Sequence, residues 1–565
     1  MSSLSKISGT RTTLKWLHHA VNEPDTSDDQ QRKWKVLTAV LKPLGVRARG
    51  RMLSWNSPAC GGMSRSVARG GPFGRFFGFV RTRRKQCMGQ PRGAGHSRRA
   101  FLSASAGITG AVVLSGTAGA ADLRPAPGGA LPPGEPIPPQ QPDARLRALL
   151  AQVDEQRVEE VVRTLVSFGT RHTLSSQDDP QRGIGAARDW LFAEMQSYAA
   201  RSDGRMTVSL QGYDQEPANR IPVTTRITNV VATIRGTTNP ERVHVVTGHY
   251  DSRATDVMDG VSDAPGADDD ASGVAVVLEL ARLLAEEPLE STVVLAAVAA
   301  EEQGLYGSGH MAELFAAEGA DVRAMFTDDI VGSSRADDGT SDPRTVRLFA
   351  EGVPTSETPE EAEIRRSVGG ENDSPSRQLA RFVTDVAANQ ATGMDVRVIY
   401  RRDRFLRGGD HIPFLEKGYP AARFTEPHED FRHQHQDVRE EGGVRYGDLP
   451  EHCDFGYTAR VAKVNFATIW SLAQGPGAPT GVAVRTAELT NDTELVWERG
   501  PEPDLAGYEV VWRETTDADW THRIEVGDTT TAVVDLSKDN VFFGVRALDA
   551  DGHRSPVTFP LPQRD

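Results

Sequence analysis

The sequence predicts an α/β fold, in which helices cover both faces of a sheet, followed by a small all-β sandwich. Apolar residues recur at helical spacing over residues 271–286, which predicts a buried helix. Residues 292–299 form a short, continuously apolar run, which is typical of a buried parallel strand. Strands that alternate with helices imply a sheet sandwiched between two helical layers. At 565 residues the chain is too long for one compact core, so a second structured region is expected.

The elements before this pair follow the same alternation. Helical patterns cover residues 143–166 and 183–200, and β-branched runs at 228–235 and 243–247 predict strands. Residues 335–371 are polar and irregular, so we expect an insertion or a lid there. The first domain is therefore predicted to alternate helix and strand with few breaks.

Two Pro- and Gly-rich segments bound this domain. Residues 121–142 are predicted to be an extended linker, and residues 475–479 a hinge that ends the domain spanning 143–474. Short β-rich runs with regular turn signals then predict a sandwich over 478–562. Its strings GYEVVWR and GVRALDADGHRS resemble a fibronectin type III domain, although Val541 stands where such domains usually carry a tyrosine. A spacer and a contact with cell wall or another polymer are both open as its role.

The amino-terminal part of the chain predicts export. Paired arginines at Arg98 and Arg99 precede an uncharged run over 103–121 that contains the small-residue site Ala118-Gly119-Ala120. This pattern resembles a twin-arginine signal peptide, which we assign to residues 88–120. The run is too rich in Gly, Ser and Ala to favour a membrane anchor, so no stable membrane insertion is expected after cleavage. Residues 1–87 receive no function, and an overlong start is the simplest account of them.

Charge and cysteine content exclude several classes of protein. Residues 1–120 carry about +16, whereas the rest of the chain carries about −30, and an acidic body argues against nucleic-acid binding. Cys60, Cys87 and Cys453 are the three cysteines of the chain, and cleavage near Ala120 would leave Cys453 alone, too few for a disulfide within the mature chain or a thiolate zinc site. A bound metal must therefore use His, Asp and Glu.

Such side chains are concentrated in short clusters at the predicted ends of strands. Three adjacent carboxylates at 268–270 exceed what a helix N-cap requires, and a cation would offset their repulsion. Paired acids directly after a buried strand lie where α/β sheets build their sites, and one of the two can bind metal while the other moves protons. The clusters are His249 and Asp251, the acids at 268–270, Glu301 and Glu302, Asp328 and Asp329, residues 409–414, and His433, His435 and Asp437.

In this order, the strings GHYDS, GADDDASG, EEQGLYGS, DDIVG and GDHIPF resemble the double-zinc aminopeptidases of metallopeptidase family twenty-eight. The resemblance runs from about residue 146 to 474. It implies the zinc exopeptidase fold, with a mixed, mostly parallel sheet, and two Zn²⁺ ions per chain. It also implies an enzyme that hydrolyses peptide or protein substrates at the amino terminus.

The resemblance implies a role for each motif residue. One zinc would be bound by His249 and Glu302, the second by Asp329 and His433, with Asp269 bridging the two. His433 is preferred to His435 because it lies four residues before Asp437.

Two further residues take part in the expected chemistry. Glu301 would be the general base, and Asp251 would orient His249. Some family members carry a tyrosine just before the last histidine ligand, where this chain has Arg432, so another group would have to stabilise the developing negative charge.

Three other functions remain open. A carboxypeptidase of the same fold would need cationic groups facing a substrate carboxylate, and the chain offers several arginines for this. A glutaminyl cyclase fits less well, because the chain keeps all five ligand positions. A non-catalytic binding protein on the same fold is disfavoured for the same reason. The arginines considered are Arg377, Arg401, Arg402, Arg404 and Arg407.

Overall fold

The computed structural model describes residues 129–564, so the predicted signal peptide and residues 1–87 lie outside the described part of the chain. Its α-helices are α1 (Ala144–Leu150), α2 (Glu155–Ser167), α3 (Ile184–Ala199), α4 (Ala271–Leu284), α5 (Tyr306–Glu318), α6 (Pro359–Val368), α7 (Pro375–Ala387), α8 (His411–Glu416) and α9 (Phe455–Gln474).

The strands of the first domain are β2 (Met206–Gln215), β3 (Thr225–Ile234), β4 (Asn239–His249), β5 (Ser291–Val298), β6 (Asp321–Asp328), β7 (Thr345–Phe349), β8 (Asp395–Ile399), β9 (Ala421–Thr425), β10 (Arg439–Glu441) and β11 (Val444–Tyr446). The remaining strands are β1 (Glu135–Pro136), β12 (Ala483–Arg485), β13 (Thr493–Val496), β14 (Leu505–Glu514), β15 (His522–Gly527), β16 (Thr531–Val534), β17 (Val541–Asp549) and β18 (Leu561–Gln563).

The first domain is built on an eight-stranded sheet with the order β2-β3-β5-β4-β6-β9-β7-β8. The central strands β5, β4, β6 and β9 run parallel to one another, whereas β2 and β3 are antiparallel additions at one edge. One apolar core packs α4 and α9 on one face of the sheet, and a second core packs α5 and α8 on the other face. The predicted α/β class, with a mixed and mostly parallel sheet between helices, is confirmed.

The predicted insertion over 335–371 is only partly irregular. Residues Thr345–Phe349 form β7, a strand of the main sheet that pairs with β8 and β9. Residues Pro359–Val368 form α6, which has a full capping box between Thr358 and Glu361. Neither segment is therefore a separate lid over the sheet. The polar composition of this stretch concealed a buried strand and a surface helix from the sequence-based prediction.

The carboxyl-terminal region is a β-sandwich of two four-stranded sheets that enclose one core. The two sheets have the orders β1-β15-β14-β17 and β16-β13-β12-β18. The predicted linker contributes to it: β1 pairs with β15, and the Pro133 carbonyl accepts a hydrogen bond from the Trp512 indole at 2.6 Å. Part of the proline-rich segment is thus an edge strand, a position that tolerates proline because its N–H need not be paired.

The sandwich is joined to the first domain by buried polar contacts. Arg513 donates to both carboxylate oxygens of Asp373, at 3.0 and 2.8 Å, and Arg381 donates to the same carboxylate at 2.8 Å. The Trp520 indole donates to Gln378 at 3.0 Å. These groups are almost fully buried, so the sandwich is packed onto α7 as part of one folded body. Within residues 129–564, no helix has the length and apolar character needed to cross a membrane.

Candidate metal centre

The strand order brings the predicted clusters to one edge of the sheet. His249 ends β4, Glu301 and Glu302 follow β5, and Asp329 follows β6. Strand β4 lies between β5 and β6 and runs parallel to both, so the three carboxyl ends lie side by side. Asp269 reaches the same place from the loop that precedes α4.

The clustered side chains form two groups that share Asp269. In one, ligand atoms of His249, Asp269 and Asp329 lie within 4.8 Å of one another, and His249 Nε2 is 3.0 Å from Asp269 Oδ1. In the other, His435 Nε2 is 2.9 Å from Asp269 Oδ2 and 2.7 Å from Glu302 Oε1. Each carboxylate oxygen of Asp269 therefore faces a different histidine, which is the arrangement of a bridging ligand.

The pairing of the ligands differs from the expected one. His249 groups with Asp329 rather than with Glu302, and Glu302 groups with a histidine of the late loop. Strand β4, which ends at His249, lies between β5 and β6, and each of these two strands is followed by a candidate acidic ligand. Side-chain direction at the strand ends decides which acid it meets, and that direction is not readable from spacing along the chain.

The second histidine is His435, and the expectation of His433 is corrected. The His433 ring stacks on His452 with 3.6 Å between ring centroids, and its Nε2 is 3.6 Å from Asp430. His435 adopts a left-handed backbone with φ of 58°, which turns its side chain toward Asp269. The four-residue spacing between His433 and Asp437 does not identify the ligand. The Asp437 carboxylate accepts a hydrogen bond from the backbone N–H of Thr255 at 3.0 Å and supports neither histidine.

Asp251 contacts both His249 and the loop after β5. Its Oδ1 is 3.6 Å from Nδ1 of His249, and its backbone carbonyl is closer to that nitrogen, at 3.1 Å. Its two carboxylate oxygens also accept the backbone N–H groups of Glu301 and Glu302, each at 3.2 Å. Asp251 thus connects the end of β4 to the loop after β5.

The three adjacent aspartates have three different roles. Asp270 caps α4 by accepting from the Gly273 N–H at 2.9 Å, and its other oxygen accepts from the His249 N–H at 2.9 Å. Asp268 accepts from the Gly332 N–H at 2.7 Å. Only Asp269 faces the two histidines, and the peptide bond that joins it to Asp270 is cis.

Asp448 and Arg171 support the aspartate loop from behind. The Asp448 carboxylate accepts the backbone N–H groups of Asp268 and Asp269, each at 2.8 Å. Arg171 is fully buried and donates to the carbonyls of Tyr250 and Gly266 at 2.7 and 2.8 Å. These bonds hold the backbone of the loop that leads to Asp269.

Arg423 is a supporting residue that the sequence did not indicate. It is fully buried, donates to Asp329 Oδ1 at 2.9 Å and also donates to the Asp329 backbone carbonyl. Its other nitrogen lies 3.3 Å from Asp403. Arg423 lies on β9, an ordinary-looking strand, so only the contact with the β6 end shows its role.

Comparison with known proteins identifies the family of the chain. Residues 229–442 match the model of peptidase family M28. A protein of Leptosphaeria maculans named a probable zinc metalloprotease is 55% identical over 421 residues, which are 74% of this chain and 98% of that protein. The chain belongs to peptidase family M28. Another relative, a probable zinc metalloprotease of Pyricularia oryzae, is 53% identical over 76% of this chain and 87% of its own length.

Solved structures show weaker likenesses to this M28 chain. The Legionella pneumophila LapA aminopeptidase is 17% identical, with a TM-score of 0.42 over 59% of this chain and 75% of its own. A Porphyromonas gingivalis glutaminyl cyclase is 19% identical, with a TM-score of 0.39 over 56% of this chain and 97% of its own. Neither bears on the reaction of this chain.

The donor set of this M28 chain fits zinc. Imidazole nitrogens and carboxylate oxygens are ordinary zinc ligands, and the candidates are buried except for the partly exposed His435. His249 Nε2 and Glu302 Oε1 are buried without a hydrogen-bond partner in the described chain. Each nevertheless lies within 3.0 Å of another candidate ligand atom, Asp269 Oδ1 and His435 Nε2 respectively. Buried polar atoms are normally paired, so ligand atoms that converge without hydrogen-bond geometry suit a shared cation.

The surroundings of the M28 centre shift the pKa values of Glu301 and Asp269 in opposite directions. Burial raises the pKa of Glu301 well above its usual range, and the nearby Asp329 and Glu302 carboxylates raise it further. Burial acts the same way on Asp269, but the adjacent histidines outweigh it and lower the pKa of that carboxyl well below its usual range. Glu301 thus favours holding a proton, whereas Asp269 stays ionised.

The centre opens into a cavity of about 300 Å³. Glu301 lines it together with ligand residues of both groups. The rest of the wall includes four arginines, two of which are among those considered from the sequence. The arginines are Arg220, Arg253, Arg404 and Arg407. Arg377, which the sequence also offers, lies elsewhere and packs over the Tyr400 ring at 3.8 Å.

Proposed function

We propose that this chain is a two-zinc exopeptidase that hydrolyses the amino-terminal peptide bond of its substrates. The observation that carries the proposal is Asp269, whose two oxygens face His249 at 3.0 Å and His435 at 2.9 Å. A carboxylate shared by two ligand groups suits a pair of metal ions rather than one. Each group supplies three side-chain ligands, which leaves room for substrate.

Zinc ions bound there would polarise the scissile carbonyl and make water more acidic. Glu301 then acts as the general base: its carboxylate takes a proton from the attacking water and gives it to the nitrogen of the departing amine. Glu301 lines the cavity beside ligand residues of both groups, so its carboxylate can reach a water and a leaving nitrogen there. Asp251 positions Glu301 because its carboxylate accepts a hydrogen bond from the Glu301 backbone N–H.

The size of the cavity supports chain-end cleavage. At about 300 Å³ it lies at the lower limit of small-molecule pockets, enough for one or two residues rather than an extended strand. The amino-terminal direction rests on the resemblance of the motifs to aminopeptidases. The arginines of the wall favour a second candidate, a carboxypeptidase, since they could face a terminal carboxylate.

One experiment separates the two directions. The purified protein is incubated with zinc and with matched peptides that have either a free amino terminus or a blocked one with a free carboxyl terminus. We expect cleavage only when the amino terminus is free, and loss of cleavage when a chelator is added. Cleavage of the blocked peptides alone would establish the carboxypeptidase instead.

We further propose that the protein is exported by the twin-arginine route and acts outside the cell. Support comes from the paired Arg98 and Arg99 and the small-residue site before Ala121. Replacing both arginines by lysine should retain the protein in the cytoplasm, whereas unchanged secretion would oppose the assignment. The fibronectin type III resemblance of the sandwich and a polymer contact through it remain proposals of the same kind.

A further inference from the structure

The four arginines of the cavity wall differ in how their charge is balanced. Arg404 lies 3.0 Å from Asp403 and 3.6 Å from Glu429. Arg407 donates to the same Glu429 at 2.8 Å. These two arginines, on the Asp329 side of the cavity, therefore pair with carboxylates outside the two ligand groups, which they share with Arg347 and Arg423.

Arg220 and Arg253 flank Glu302 on the other side, and neither guanidinium has a carboxylate of the described chain within hydrogen-bond distance. Arg220 donates to the Glu302 backbone carbonyl at 2.8 Å and pairs with no carboxylate of the described chain. Arg253 donates to the carbonyls of Ala254 and Thr255 at 3.2 and 3.3 Å. Its nearest carboxylate oxygen is Glu302 Oε2 at 3.8 Å, and that carboxylate belongs to the metal centre.

Arg220 is held in place by its own turn. Ala218 and Ile221 exchange both backbone hydrogen bonds, at 2.8 and 3.1 Å, and Arg220 adopts a left-handed φ of 58° between them. The Tyr306 hydroxyl donates to the Asn219 carbonyl at 2.9 Å and ties this turn to α5. The guanidinium is thus presented to the cavity by a braced loop rather than by a free chain.

We infer that Arg220 and Arg253 form a subsite for a carboxylate of the substrate. The inference rests on the proposed function and adds a substrate class to it. Guanidinium groups bind carboxylates through charge-assisted hydrogen bonds, and two at a cavity wall that lack a carboxylate within hydrogen-bond distance attract an anionic group in preference to its neutral isostere. The carboxylate can come from an acidic amino-terminal residue or from the carboxyl terminus of a dipeptide.

Two matched substrate pairs test the subsite and identify the source. Glutamyl anilide is compared with glutaminyl anilide, and leucyl-glycine with leucyl-glycinamide, by kcat/KM on the zinc-loaded protein. In one pair, kcat/KM for the carboxylate substrate should exceed that for the neutral substrate by about tenfold or more. A factor of this size is typical of one charged hydrogen bond. The double variant Arg220→Gln, Arg253→Gln should lose that preference, because kcat/KM falls at least about tenfold more for the carboxylate substrate than for its neutral partner.

Arg201→Gln is the matched control, because Arg201 pairs with Glu286 at the surface and does not line the cavity. It should keep the preference. No preference in either pair, or an equal loss on both members in the double variant, would overturn the subsite.

Calorimetric binding of glutamate, glutamine, leucyl-glycine and leucyl-glycinamide to the same proteins separates the two proposals. If no substrate is cleaved but a carboxylate ligand binds at least about tenfold more tightly, and only when both arginines are present, the proposed function fails and the subsite stands. Cleavage without a carboxylate preference supports the proposed function and rejects the subsite. Neither cleavage nor preferential binding rejects both.

Discussion

His435 and His433 stand two residues apart, and substitution by glutamine should weaken zinc binding at His435 but leave it unchanged at His433. His435 Nε2 lies 2.9 Å from Asp269 and 2.7 Å from Glu302, so His435→Gln removes one of three protein ligands. His433 instead stacks on His452 and touches neither carboxylate. His433→Gln is therefore a matched control that changes the same residue type in the same loop.

The size of the effect follows from the ligand count. Loss of a residue that merely supports a ligand costs about 10–100-fold in metal affinity, so loss of a ligand should cost at least about 100-fold at the second position. That factor corresponds to about 2.7 kcal/mol. The first position keeps His249, Asp269 and Asp329 and should remain filled.

The assay is zinc content by elemental analysis after dialysis against buffers of fixed free zinc. The wild-type protein and His433→Gln should retain two zinc ions per chain at a free zinc concentration where His435→Gln retains one. A result in which His433→Gln loses zinc while His435→Gln keeps both would refute the assignment of the second position. Circular dichroism of the three proteins verifies that each is folded.

Four further predictions concern the metal centre and the packing of the sandwich. Glu301→Gln should keep both zinc ions while kcat falls by about 10²–10⁴-fold, and near-normal turnover would exclude it as the base. Arg423→Met should weaken zinc binding about 10–100-fold by freeing the ligand carboxylate that it holds, as measured by chelator competition; unchanged affinity would show that this contact does not matter. Arg513→Met should lower the free energy of unfolding by about 3 kcal/mol in denaturant titrations, whereas Arg499→Met, which removes an exposed pair, should change it by less than about 1 kcal/mol; equal effects would contradict the packed sandwich. Burial opposes protonation of His435, but its two carboxylate neighbours raise its pKa to about 10 in the metal-free protein, so zinc must displace a proton and its affinity should rise with pH between about 7 and 9; affinity independent of pH would contradict this.

The pH dependence of the metal-free protein has a definite sign. A histidine whose pKa is raised on folding stabilises the folded state in its protonated form. For His435 this contribution is complete below its usual pKa of about 6.5 and is lost as the pH rises through about 10. The ion pairs with Asp269 and Glu302 therefore stabilise the loop of the metal-free protein in neutral solution.

The sequence located most of the centre because of one geometric fact. His249, Glu302 and Asp329 each end or follow a strand, and neighbouring parallel strands end at the same edge of a sheet. Motif resemblance singles out Asp269 from three adjacent aspartates, and the structure explains the other two as a helix cap and a loop brace. Motif order alone thus predicts four of the residues that lie together.

What the sequence could not supply depends on side-chain direction. The left-handed φ of His435 selects it over His433, and no spacing rule reveals a backbone torsion. Arg423 and Arg220 come from a strand and a turn without recognisable motifs, and they reach the centre only through the folded chain. Pairing partners distant in sequence are set by packing, which local patterns do not encode.

The same limit applies to the domain boundaries. The sequence predicts a hinge over residues 475–479, and a hinge there would let deletion of 478–565 leave peptide cleavage intact. The buried Asp373 and Arg513 pair indicates instead that truncation would strip a buried carboxylate of a cation and expose α7. The edge strand β1 was likewise hidden, because prolines are compatible with both a linker and a sheet edge.

Anomalous diffraction at the zinc edge, from crystals of the zinc-loaded protein, tests the central claim most directly. Two peaks are expected, one contacting His249 and Asp329 and the other contacting Glu302 and His435, with Asp269 between them. A single peak, or a peak bound by His433, would contradict the two-zinc centre that we propose for this chain.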